Sequence, residues 1–107
     1  MLTDKLRKAD INIASSGNNT IITATAGKYI AIDHINFIPT TAVTVQLKDG
    51  STNYGGSYPL DAKQGLVFDN VMEHTDGIIT MSNGSDFVIN LGSAVQVSGF
   101  VRYRIVG

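Results

Sequence analysis

"AVTVQLKDGSTNYGG", residues 42–56, opens as a strand and closes as a turn. Val43, Val45 and Leu47 alternate with Thr44, Gln46 and Lys48, which places apolar groups on one face of an extended segment and polar groups on the other. Asp49-Gly50 supplies the turn. This stretch carries β-structure and no reactive constellation. The question for the rest of the chain is whether it repeats that pattern.

Reading upstream, "KYIAIDHINFIP" (28–39) is long for one strand, and its alternation changes phase. Ile30 and Ile32 fall on one face, Ile35 and Phe37 on the other. A bulge near Asp33-His34 repairs the pattern and would let one strand serve two sheets, with Pro39 ending it. "TIITATA" reads as a short strand ending at Gly27, preceded by the loop "SSGNN". "DINIA" alternates with Ile11 and Ile13 inward. Residues 1–9 suggest a helical turn, since Leu2 and Leu6 are four apart with Thr3 or Asp4 as cap, but so short a helix needs a docking partner. Residues 1–13 are therefore read as an arm or edge strand.

Downstream, "NYGGSYPLD" is irregular, "GLVFDN" reads as a short buried strand, and "VMEHTDG" is the most charged loop. "IITMS" and "FVINL" around Asn83-Gly84 suggest a hairpin. In "AVQVSGFVRYRIV" Val95, Val97, Val101, Tyr103 and Ile105 share a face, and Gly99 leaves a gap that marks a bulge or a crowded crossing. Turn signals recur about every eight to twelve residues, which predicts an all-β antiparallel sandwich or barrel of about eight to nine strands. Residues 14–107 form its single domain.

Composition narrows the class. In 107 residues, 43% are hydrophobic and only 16% charged, with a net charge of −1. Ser, Thr, Asn and Gly replace the missing charge, a surface that repels neighbours weakly and suits assembly. The chain has no cysteine, which removes disulfides, thiolate metal sites and cysteine nucleophiles and fits a reducing cytoplasm. No apolar run approaches the roughly 20 residues that span a bilayer, and "MLTDKLRKAD" does not read as a secretory signal. The expectation is a chain with no membrane association.

Candidate chemistry is sparse. His34 adjoins Asp33, but neighbours on a regular strand face opposite ways and form no dyad. Asp69, Glu73, His74 and Asp76 concentrate possible ligands for a hard cation, yet no calcium-loop spacing is present, so a solvated loop is the simpler reading. No serine-nucleophile elbow or phosphate loop occurs. Tyrosines 29, 54, 58 and 103 offer the only sugar platforms in a chain without Trp. Arg102 and Arg104 beside Phe100 make a thin groove for nucleic acid, and interface ion pairing explains them as well. Sequons at Asn18 and Asn83 read as chance matches. No catalytic residue, metal ligand, cofactor or nucleic-acid partner is assigned.

The order of segments is more informative. "SSGNNTIITATAGKYIAI" leads into "AVTVQLKDGSTNYGG", then "GLVF", then "DGIITMSNGSDFVINLGSAVQVSGFVRYRIV". This arrangement, over residues 14–107, resembles the small jelly-roll decoration or cement proteins of tailed bacteriophage heads. The resemblance implies a jelly-roll-like sandwich and a structural virion protein, assembled in the host cytoplasm and placed on the capsid surface. Such a protein binds the major capsid protein and cements neighbouring subunits against DNA pressure, as a homo-oligomer, dimer or trimer. Capsid or subunit contacts are expected from the arm, through Leu2, Lys5, Leu6, Arg7, Lys8, Ile11 and Ile13, with Asp10–Ala14 adding to a neighbouring sheet edge. Related modules occur in neck, tail and fibre proteins. A virion module there, binding a host glycan through Tyr54, Tyr58 or the 69–76 loop, is the alternative.

Overall fold

A computed structural model describes residues 5–69 and 77–107. Its described residues contain ten strands and no helix. They are β1 (Arg7–Ile13), β2 (Gly17–Ile22), β3 (Tyr29–Pro39), β4 (Val43–Asp49), β5 (Thr52–Asn53), β6 (Tyr58–Leu60), β7 (Leu66–Asp69), β8 (Ile79–Thr80), β9 (Phe87–Leu91) and β10 (Val97–Val106). Two antiparallel sheets result: β1-β10-β3-β7 with β8 also on β3, and β2-β9-β4-β5 with β6 also on β4. The pairs nest like one long folded hairpin. Strand β4 pairs with β5 and β6, β3 with β7 and β8, β2 with β9, and β1 with β10. The β10–β3 and β9–β4 seams then wrap that ribbon into two layers, which is jelly-roll winding.

The alternation at 42–47 behaves as the sequence demands. Val43, Val45 and Leu47 are buried between the layers with Ile35, Phe37, Phe87, Ile89 and Leu91. Each such side chain contributes about 1.5–3 kcal/mol when withdrawn from water. Gly50, with φ +62°, takes the first central position of a two-residue turn between β4 and β5 that few other residues accept.

The phase change in β3 has its bulge. Arg102 faces His34 and Tyr103 faces Ile32, so Asp33 is the extra residue. Because of it, Ile30 and Ile32 before the bulge and Ile35 and Phe37 after it all reach the same core. The strand does not pass between sheets, however. It stays beside β10 throughout and changes its other neighbour, from β8 before the bulge to β7 after it.

Other local expectations are corrected. Arg7–Ala9 are extended, not helical: a seven-residue ladder on β10 and a core position for Ile11 outweigh one Leu2–Leu6 contact in a helix too short to nucleate. "GNN" is the start of β2, not loop, because Asn18 faces Asn90 and its side chain accepts the Asn90 amide at 2.7 Å. Leu66–Asp69 is a half-exposed edge strand. Strands β8 and β9 form no hairpin, since one lies on β3 and the other between β2 and β4. Gly84 (φ +73°) still turns the chain, but as an arch between layers whose amide donates to Lys28 O at 2.8 Å.

Candidate contact face

Residues directly opposed across strands share a face of the sheet, so the register of the first sheet defines its outer surface. One row runs Asn12–Ser98–Ile38, the next Asp10–Phe100–Asn36–Val67, and the third Lys8–Arg102–His34–Asp69. Three large apolar side chains lie in these rows with substantial exposure: Ile38 at 45%, Val67 at 63% and Phe100 at 36%.

The bulge gives this surface its centre. Between the inward Ile32 and Ile35 stand two residues rather than one, so Asp33 and His34 line the same outer depression. The two-fold alternation that separates them on a regular strand does not hold here. Each has a different partner. Asp33 forms an ion pair with Arg104, both side chains about one-fifth exposed. His34 Nδ1 lies 3.2 Å from Asp69 Oδ1 on β7, and His34 Nε2 lies 2.9 Å from Asn36 Nδ2. This network assigns the proton to Nδ1, donating to the carboxylate, while Nε2 accepts from the amide. Phe100 packs on the imidazole with ring centroids 5.2 Å apart.

The depression, about 330 Å³, is lined by Leu6, Asp33, His34, Asp69, Phe100 and Arg102. The histidine lone pair that a general base requires is already occupied by Asn36, and Asp33 is held by Arg104. Arg102 Nε is buried and has no hydrogen-bond acceptor among the described residues. A donor left so costs about 1–3 kcal/mol, and a partner group that satisfies it recovers part of that.

The outer face of the second sheet is different in kind. Its rows run Asn18–Asn90–Gln46 and Thr20–Val88–Lys48–Asn53, with Lys48 the single charge. Two of its amides bond within the chain: Gln46 donates to Leu47 O at 2.8 Å and accepts from Ser57 Oγ at 3.0 Å, and Asn90 donates to Asn18 Oδ1. A second depression, about 380 Å³, lies where β4 and β6 meet the chain after β9 and is lined by backbone-rich residues including Thr44, Pro59 and Gly92.

Of the arm residues expected to make contacts, Leu2 lies outside the described residues. Ile11 is buried in this chain's own core and is unavailable to a partner, and Ile13 packs against that core. Lys5, Arg7 and Lys8 are exposed, but Lys8 lies 3.0 Å from Asp10 rather than free for an acidic surface. Leu6 borders the depression. Within the Asp10–Ala14 stretch, Asp10–Ile13 pair with β10 of this same chain along one edge of β1. Tyr54 and Tyr58 pack on the core, Tyr58 against Phe68 with ring centroids 5.9 Å apart, so they form no exposed row. Glu73, His74 and Asp76 lie outside the described residues, among which no three metal-capable side chains converge. Sequence reading missed Ile38, Asn36 and Val67 as surface features. Ile38 and Asn36 face outward as the bulge near Asp33-His34 dictates, and Val67 is exposed because β7 is an edge, which no local pattern reveals.

The chain matches no family model, no curated protein and no solved structure.

Proposed function

We propose that this protein is a structural, non-catalytic component of a virion that binds the outside of a phage capsid and cements neighbouring major capsid subunits. The observation that carries the reading is the division of labour between its two faces. The first sheet presents Ile38, Val67 and Phe100 among two ion pairs and the His34–Asp69 hydrogen bond, and the second presents neutral amides that bond one another and their own strands. Interfaces favour this combination of exposed aromatic, Arg and apolar groups with paired charge. The resemblance of the segment order to that of decoration proteins is what favours placement on a head.

The test is binding of the purified full chain to expanded heads that lack it, counted after pelleting. Saturation at a simple ratio to the major capsid subunit is expected, with Phe100→Ala weakening binding about tenfold or more, as truncation of a central aromatic anchor does. Thr20→Ala on the opposite face is expected to change nothing. No saturable binding, or equal effects of the two substitutions, contradicts the reading.

A further inference from the structure

Every two-layer sandwich has four sheet edges, and exposed edges invite pairing unless something blunts them. Three of the four here are blunted. Strands β7 and β8 are short, at 4 and 2 residues. Strands β5 and β6 are shorter still in sum, and β6 contains Pro59. Strand β2 begins at Gly17, with φ +85°, and its register shifts between Thr20 and Ile22. The fourth edge is β1. It runs 7 residues without Gly, Pro or bulge, pairs with β10 in unbroken register, and has no neighbour on its other side among the described residues.

The charges along β1 could be taken as its protection. Their spacing argues otherwise. Lys8 and Asp10 are exposed on the outer face and flank Ala9 symmetrically. A second copy of β1, laid antiparallel about a two-fold axis through Ala9, sets Lys8 opposite Asp10 of the other copy and Asp10 opposite its Lys8. Both outer faces then remain on one side, as a two-fold axis perpendicular to the sheet requires. The neighbouring registers that keep the faces aligned set Lys8 against Lys8 or Asp10 against Asp10. Self-complementarity of this sort is what an isologous interface needs.

The geometry points to a homodimer in which the free edge of β1 pairs antiparallel with β1 of a second copy, centred on Ala9, making one continuous sheet across both molecules. The inference is independent of what the dimer docks on. It also turns both contact faces toward the same side, so one dimer presents twice the area of a single chain.

Sedimentation equilibrium on the full chain tests it, with Lys8→Asp, Asp10→Lys and the double exchange. Each single reversal puts like charges opposite one another at two places and is expected to weaken the dimer about tenfold, given cross-strand pair energies of roughly 0.2–1 kcal/mol. The double exchange is expected to restore it. In a chain with no cysteine of its own, Ala9→Cys is expected to give an oxidised dimer while Asn18→Cys does not. A monomer at all concentrations up to about 1 mM, a trimer, or a dimer indifferent to both reversals would overturn the proposal. Head binding is scored separately, so its failure leaves this result standing.

Discussion

Gly99 sits in β10 between Ile11 on one flanking strand and Phe37 on the other. A Cβ built there falls 2.7 Å from Phe37 Cα and closer still to the Asn36 carbonyl oxygen. The gap that the alternation of "AVQVSGFVRYRIV" shows at this position is a crowded crossing, and only a residue without a side chain passes it. Gly99→Ala is expected to cost about 1–3 kcal/mol by forcing β3 and β10 apart, read as a lowered urea midpoint. Asp33 is the second informative residue. Removing its carboxylate takes away the ion pair with the partly buried Arg104 guanidinium, and Asp33→Ala is expected to destabilise by about 1–3 kcal/mol in the same measurement. Neither partner was legible from spacing. Asp33 and Arg104 are 71 positions apart and lie on one outer face because the β3–β10 register sets Arg104 opposite Ala31.

At the scale of elements, alternation was a reliable guide wherever a strand has one wet and one dry face, as in β4 and β10. At β1 the alternation of "DINIA" placed Ile11 inward, and Ile11 is 1% exposed, while the helical reading of residues 1–9 failed because Arg7–Ile13 is laddered to β10. Ile11→Ala is therefore expected to cost about 2–5 kcal/mol, measured by denaturant unfolding, and deletion of residues 1–13 to abolish cooperative folding rather than trim a contact. The Asn83-Gly84 signal was also read correctly as a turn and wrongly as a hairpin. What decides between hairpin and arch is where the flanking backbone groups find partners. Here Ser82 N–H donates to the Asp49 carboxylate at 3.1 Å, and Gly50 N–H donates to Asp86 O at 2.8 Å, so the loop, closed on itself by Ser85 N–H to Ser82 O, is also stapled to the end of β4. Such long-range hydrogen bonds leave no local trace in a sequence.

At the scale of the whole molecule, sandwich class and nested winding were accessible from turn spacing and segment order, because antiparallel strands with one buried face admit few other packings. The contact face was not, because its members come from β1, β3, β7 and β10 and meet only after the first sheet assembles. If the protein docks as proposed, the first sheet's outer face meets the partner and the second faces away. Thiol labelling of two single-cysteine variants, free and docked on expanded heads, tests that claim most directly. V67C places a thiol on the first face and N18C on the second, in a chain otherwise free of cysteine. V67C is expected to become protected on docking while N18C reacts as before. Equal reactivity of V67C in both states, or protection of N18C instead, would contradict it.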